Sequence, residues 1–318
     1  MAEQLSFFKR FLSFFKDLAE KRNLRLLQEE INRILFQPVN NIMTRKVITV
    51  DVNDSLWQAA ATMRREPLSC VVVTRANRIA GILTERDFVQ KLQLVDQALQ
   101  EKVSNLMSPA PKCAEPSTRI FDAHRFMVNQ QFRKLPILED GNLVGIITLT
   151  DIVKALDRFA THSIIDSLNT VHMWKIMASD LLTIEQTESV LEAQLLMASR
   201  NVSCILAKNE GHITGILTER DFVNEIAKDV SRLARFNVQD VMKSPVVSIP
   251  THLQLFEANH FMLERNFRRF LVSEADKPVG IVTQTDIARS MLDFLDSLLD
   301  RIQSKKFDGL RVEKVSSE

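Results

Sequence analysis

Four times along this chain a threonine is followed three residues later by an aspartate: Thr84 and Asp87, Thr148 and Asp151, Thr218 and Asp221, Thr283 and Asp286. Each pair follows a glycine and two apolar residues, as in Gly81-Ile82-Leu83 and Gly280-Ile281-Val282. A short apolar run that ends in threonine reads as a strand giving way to a helix. The free N–H groups and positive dipole end of such a helix suit a phosphate. The aspartate one turn in has two oxygens, enough to accept hydrogen bonds from both hydroxyls of a ribose. The same spacing also suits a capping box, with threonine as N-cap and aspartate in place of the usual glutamate. Both readings stand for every copy.

A second set of chemically active residues is uneven among the copies. Arg133-Lys134 and Arg268-Arg269 stand where a strand begins ahead of the second and fourth motifs, against Leu68-Ser69 and Val202-Ser203 ahead of the first and third. Two adjacent cations are the right chemistry for a di- or triphosphate, and equally ordinary as solvated strand-end charges. Arg86 and Arg220, beside the first and third aspartates, are a further phosphate-facing option. Clefts built from such copies would be chemically unequal. Cys70 and Cys204 occupy equivalent positions, and core packing accounts for them better than redox chemistry.

What positions these residues is a repeat. Gly-Ile-Leu-Thr-Glu-Arg-Asp-Phe-Val at 81–89 recurs letter for letter at 215–223. Each copy also has a methionine (Met43, Met107, Met177, Met242) and a second one 20 positions later (Met63, Met127, Met197, Met262). The span from first methionine to aspartate is 44 in all four copies. The motif aspartates lie 64, 70 and 65 apart, and copies 1 and 3 resemble each other most, so the chain reads as a duplicated pair, (1,2) then (3,4). In copy 1, Val47–Val50 predicts a strand, Asp54-Ser55 starts a helix with Leu56, Ala59, Ala60 and Met63 on one face, and two further strands follow. A tight hairpin is predicted between those strands at Asn77-Arg78, with Gly141-Asn142, Gly211-His212 and Asp276-Lys277 as its equivalents. The glycine that follows is expected to admit a close-lying ligand or helix. The unit, strand–helix–strand–strand–helix, spans about sixty residues and is marginal alone, so pairing to share a core is expected.

Composition excludes several classes. The chain has 318 residues, 45% hydrophobic and 25% charged, with a formal net charge of +1. That balance gives no basis for nucleic-acid binding. Three cysteines without CxxC spacing point to a reduced, cytoplasmic protein. No apolar run reaches the roughly 20 residues of a membrane helix, and the N-terminus does not read as a secretory signal. No nucleotide P-loop, HExxH or GxSxG motif is present, and the six histidines form no ligand-spaced cluster. Neither an enzyme, a catalytic cofactor nor a metal is expected. Residues 1–37 form a predicted amphipathic arm: Phe7, Phe8, Phe11, Leu12, Phe14, Phe15 and Leu18, then Leu24, Leu27, Ile31 and Ile34. Packing on the chain itself, a homodimer or partner contact, and an interfacial membrane helix are the competing readings, the last the least favoured. Ile287–Ile302 and Ile152–Leu168 are each expected to extend the last helix of a pair.

At these residues the sequence resembles the cystathionine β-synthase (CBS) domain family, over roughly residues 38–300. The resemblance implies an α+β fold: four tandem CBS units in two modules, 38–160 (copies 38–95 and 102–157) and 173–300 (copies 173–228 and 237–293). An arm 1–37, a connection 161–172 and a tail 301–318 lie outside them. In copy number the chain is similar to the nucleotide-sensing γ subunit of AMP-activated protein kinase. The family implies clefts for AMP, ADP, ATP or S-adenosylmethionine, with the motif aspartate on ribose, the threonine near the phosphates, and basic groups at the positions of Arg133, Lys134, Arg268 and Arg269. A regulatory nucleotide sensor acting on a partner follows; a ligand-free assembly module whose motifs only cap helices is the alternative. Proline is frequent early in the family's second strand, as at Pro136; Val71, Ile205 and Leu271 are read as its replacements, which puts the base preference in doubt.

Overall fold

Helix caps and two-residue turns divide each copy in the same places. The computed structural model describes residues 25–92, 98–130, 132–228 and 235–308. Helix α1 covers residues 25–35. Copy 1 is β1 (Thr49–Asp51), α2 (Leu56–Arg65), β2 (Cys70–Arg75), β3 (Arg78–Thr84) and α3 (Glu85–Lys91). Short α4 (Val103–Leu106) and β4 (Ser108–Pro109) lead to α5 (Ile120–Asn129), β5 (Lys134–Glu139), β6 (Asn142–Thr148) and α6 (Leu149–Phe159) of copy 2. After α7 (His162–Leu168) and α8 (Met173–Ile176) come β7 (Thr183–Glu185), α9 (Val190–Ser199), β8 (Cys204–Asn209), β9 (His212–Thr218) and α10 (Glu219–Ile226). Copy 4 follows α11 (Val238–Val241) as β10 (Ser248–Pro250), α12 (Leu255–Glu264), β11 (Arg269–Glu274), β12 (Lys277–Thr283) and α13 (Gln284–Asp308). The fold is the mixed α and β arrangement of four similar units expected from the repeat.

Ser55 caps α2 reciprocally with Gln58, and Ser189 caps α9 with Glu192. In α2 the buried face is Leu56, Ala59, Ala60 and Met63, as the spacing predicts. The first and second strands of a copy pair in parallel and the second and third antiparallel; in copy 2 the first strand shrinks to one parallel bridge, Ala114 to Ile137. The hairpins sit one residue earlier than predicted. Left-handed backbone falls at Ala76-Asn77, Asp140-Gly141, Glu210-Gly211 and Ala275-Asp276, while Arg78, Asn142, His212 and Lys277 are already paired across the ladder. A type I′ turn needs positive φ at both central residues, and the spacing marks only one of them.

Within a module the chain ahead of each copy crosses to its partner. β4 pairs with β3 of copy 1, and Thr44 bridges Ile146 of copy 2. In the second module Ala178 bridges Ile281, and Lys243 bridges Ile216. This exchange lays Met107 on Gly81, Met43 on Gly145, Met242 on Gly215 and Met177 on Gly280; a Cβ on any of these glycines would overlap the methionine sulfur. The glycine therefore makes room for the partner copy's methionine, rather than for the expected ligand or helix. Gly145→Ala should cost about 1–3 kcal/mol by overpacking, read from the urea midpoint. In a Met43→Ala background the same change should cost much less; equal costs in the two backgrounds would sink the interlock.

Helices join the modules. α3 packs on α9 and α10, α2 on α10, and α6 on α12 and α13. One core unites copies 1 and 3 through residues such as Val71, Phe88, Ile205 and Phe222. The other unites copies 2 and 4 and takes in Ile31, Ile34 and Leu35 of α1. A smaller cluster around Leu206, Ile216 and Leu271 lies between the sheets of copies 3 and 4. Of the arm, α1 thus packs on the chain itself; Leu24 and the phenylalanines before it lie outside the described residues. α13 is unbroken, but Ile152–Leu168 is not one helix. Ala160 is extended, and the Thr161 hydroxyl donates to Glu30 Oε2 on α1 at 2.6 Å, so the chain restarts as α7. Among the described residues no helix is long and apolar enough to cross a membrane.

Candidate functional site

All four threonine–aspartate pairs are capping boxes. Thr148 N donates to Asp151 Oδ2 at 2.8 Å, the Thr148 hydroxyl donates to the same oxygen at 2.6 Å, and Asp151 N donates back to Thr148 Oγ1 at 3.3 Å. Thr84/Asp87, Thr218/Asp221 and Thr283/Asp286 make the same three bonds. Capping uses one carboxylate oxygen, and the other distinguishes the copies. Asp87 Oδ1 meets Lys91 Nζ at 2.5 Å and the Ser108 hydroxyl at 3.4 Å. Asp221 Oδ1 faces Lys243 Nζ at 3.4 Å, and both carboxyls are buried. Asp151 and Asp286 have no hydrogen bond or ion pair at Oδ1 among the described residues, and both line a central cavity of about 700 Å³. Burial holds the Asp151 carboxyl above the usual carboxylate range, against the lowering effect of its Thr148 bonds.

The cavity has two lobes related by the duplication. In one, Ile48, Val72 and Ile146 supply apolar walls beside Thr148, Asp151 and Lys154. In the other, Leu182, Leu206 and Ile281 stand beside Thr283, Asp286 and Arg289. Thr84, Asp87 and Thr218 are not on this cavity; Asp221 borders a separate one of about 330 Å³ with Arg64, Asn224 and Lys228.

Strand register corrects two alignments. Lys134 pairs with Thr148, Arg269 with Thr283, Cys70 with Thr84 and Cys204 with Thr218. The counterparts of the basic pairs are therefore Ser69-Cys70 and Ser203-Cys204, not Leu68-Ser69 and Val202-Ser203. Likewise Pro136 corresponds to Val72, Leu206 and Leu271. Val71 and Ile205 face the core, because a one-residue slip along a strand exchanges its two faces.

Arg133, Lys134, Arg268 and Arg269 all line the cavity. The Lys134 ammonium makes no hydrogen bond or ion pair among the described residues, and burial pulls it below the ordinary lysine range. Arg269 donates from Nη1 to Ser203 O at 3.2 Å, while its buried Nε has no acceptor among the described residues. Burial pushes the Cys70 and Cys204 thiols up, which disfavours thiolate and suits packing.

Arg86 and Arg220 have other partners than a ligand. Arg86 Nε donates to Glu219 Oε1 at 2.9 Å and Arg220 Nε to Glu85 Oε1 at 2.8 Å. These reciprocal pairs cross between modules, which is why copies 1 and 3 share Thr-Glu-Arg-Asp: the two face each other. Motif spacing does not mark Glu85 and Glu219; the identity of the two copies is the signal that could have found them. Among the described residues no three His, Cys, Asp or Glu side chains gather as a metal site.

The CBS domain model matches residues 39–94, 103–158, 174–228 and 238–293. Protein MJ1225 of Methanocaldococcus jannaschii is 29% identical over 200 residues, 60% of this chain and 70% of that one. Its crystal structure, proposed as an archaeal homologue of g-AMPK, superposes with a TM-score of 0.71 at 20% identity, covering 79% of this chain and 99% of that one. Protein MJ1404 of the same organism is 25% identical over 287 residues, 85% of this chain but 65% of its own length. YhcV, a CBS domain-containing protein of Bacillus subtilis, is 32% identical over 114 residues, 36% of this chain and 81% of that protein. Four matches in tandem over most of its length, on four copies of one fold unit, show that the chain belongs to the CBS domain family.

Proposed function

We propose that the chain is a non-catalytic regulatory protein that binds adenosine-containing nucleotides in the two lobes of the central cavity. The observation that carries this is the spare Oδ1 of Asp151 and of Asp286, partly buried acceptors on a cavity wall that also carries apolar side chains and cations. Ribose hydroxyls donate to these oxygens, the base lies against Ile48, Val72 and Ile146 or their counterparts Leu182, Leu206 and Ile281, and phosphates turn toward Arg133, Lys134, Arg268 and Arg269. AMP, ADP, ATP and S-adenosylmethionine all carry the adenosine that this geometry addresses. For Thr84/Asp87 and Thr218/Asp221 the engaged, buried carboxylates favour the capping reading. A ligand that binds one module geometry better than another shifts the equilibrium between them, and a protein partner or second copy at the N-terminal arm receives the change.

Calorimetric titration of nucleotide-stripped protein with the four ligands tests this. Asp151→Ala and Asp286→Ala should each remove one lobe's binding, and together all of it, while Asp87→Ala and Asp221→Ala leave binding in place. A saturating ligand at about 100 times its Kd should stabilise the wild-type chain by about 2.7 kcal/mol. Absence of heat and of any melting shift with all four ligands would leave the motifs as helix caps in an assembly module.

A further inference from the structure

Helix α1 is covered on one side only among the described residues. Leu27, Ile31, Ile34 and Leu35 face the core shared by copies 2 and 4. On the opposite side Leu26, Glu29, Arg33 and Phe36 are exposed; Leu26 is 48% exposed and Phe36 38%. Phe36 lies just past the end of α1, yet its N donates to Asn32 O at 3.0 Å, so helical spacing holds through it. These four residues follow one another at intervals of three, four and three. On a helix that spacing makes one stripe, about 15 Å long. Apolar groups stand at its ends, with a carboxylate and a guanidinium between them. Phe36 is held in place by the Phe121 ring at 6.0 Å and by Arg119, 5.1 Å from its centroid.

The same intervals run backwards in the segment that leads into α1. Leu18, Phe15, Phe11 and Phe8 stand three, four and three positions apart. We propose that residues 8–18 form a helix that docks on the outward face of α1 of the same chain, as the other limb of an antiparallel helical hairpin. Leu18 then meets Leu26, and Phe8 meets Phe36. Phe11 offers its ring face to the Arg33 guanidinium. Phe15 packs on the methylenes of Glu29, whose carboxylate Arg25 holds at 3.1 Å. The seven residues 19–25 that join the stripes keep the segment at a millimolar effective concentration around α1. The α1 of a second copy also matches this face, glutamate on arginine. Such a contact, about 15 Å long and one helix wide, is small beside the roughly 1,200 Å² of a stable interface, and it leaves Phe8, Phe11 and Phe15 uncovered. No residue of the cavity takes part, so the inference stands apart from the nucleotide reading. The docked segment turns Lys9, Arg10 and Lys16 to solvent, and these are the groups it offers to a partner.

The test is disulfide trapping in the full chain. Phe8→Cys/Phe36→Cys and the register control Phe8→Cys/Leu26→Cys are oxidised in dilute solution. Mass spectrometry of linked peptides separates the new bond from any at Cys70, Cys113 or Cys204. Expected is an 8–36 link within one chain, about tenfold over the 8–26 link, the mark of a raised local concentration. A second measurement leaves Phe36 in place. Amide exchange over 26–36 should be about tenfold faster in Phe11→Asp/Phe15→Asp than in the wild type, near 1.4 kcal/mol of lost protection. A link between two chains, equal links in the two cysteine variants, no link at all, or exchange that the aspartates leave unchanged overturns the proposal. So does binding of the wild type, and not of the aspartate variant, to phosphatidylserine–phosphatidylcholine vesicles, since the stripe then lies in the bilayer rather than on α1.

Discussion

Arg220→Ala should lower the stability of the chain by about 3 kcal/mol, seen as a fall in the urea midpoint at unchanged m-value. The reason is the carboxylate left behind. Glu85 is 7% exposed, and its short bond is the 2.8 Å one to Arg220 Nε. Arg268 at 3.7 Å cannot replace it without moving. Arg220 also donates from Nη2 to Pro67 O at 3.1 Å, so its loss frees a backbone acceptor as well. Removal of one partner from a buried pair costs about 3–5 kcal/mol in general; the cavity beside Glu85 sets the expectation at the lower end, because water can reach one side. Replacement of both partners, as Arg220→Met with Glu85→Met, should recover most of the loss, since two apolar groups leave no buried charge. A change within 0.5 kcal/mol for Arg220→Ala would show that cavity water solvates the carboxylate and that the pair does not tie copies 1 and 3 together.

The second large effect is a pH dependence. His124 on α5 is 2% exposed, and its Nε2 has no hydrogen-bond partner among the described residues. Burial, with the cation Arg289 nearby, lowers its pKa from the ordinary 6.5 to about 4. The unfolded chain takes up this proton as pH falls through 6.5, whereas the folded chain resists until about pH 4. Stability from this group is therefore complete above pH 6.5 and is lost progressively down to about pH 4. Between pH 7 and pH 5 the loss amounts to roughly 2 kcal/mol. His124→Leu should remove that share of the slope and leave the part due to carboxylates. Parallel stability–pH curves for the two proteins over this interval would mean that the folded chain protonates His124 without penalty.

Much of the organisation was legible in residue order. The constant 44-residue frame, the Ser55 cap, the α2 face and the strand run around Cys70–Val73 are local facts, set by periodicity and by side chains that bond within four residues. The motif threonines and aspartates were legible for the same reason, because a capping box closes within one turn. The hairpins and the two strand alignments were missed by one residue. Positive φ at Ala76 and Ala275 carries no side-chain signature, and apolar runs such as Cys70–Val73 look alike in either register. The broken helix at Ala160 was hidden too; the residue after the break bonds Glu30, 131 positions away.

Residue order alone established four copies of one unit and the residue types available to a ligand: these follow from spacing and local hydrogen bonding. The tertiary structure alone decided which of the four aspartates keeps a free oxygen over the cavity. It also decided that the apolar cores run between copies 1 and 3 and between copies 2 and 4, that Met43 needs Gly145 bare, and that Glu85 and Glu219 sit among the cations. Each of these depends on contacts between residues tens to more than a hundred positions apart. Near-identical copies present the same local pattern to every neighbour, so only the packing of one copy on another makes their sites unequal.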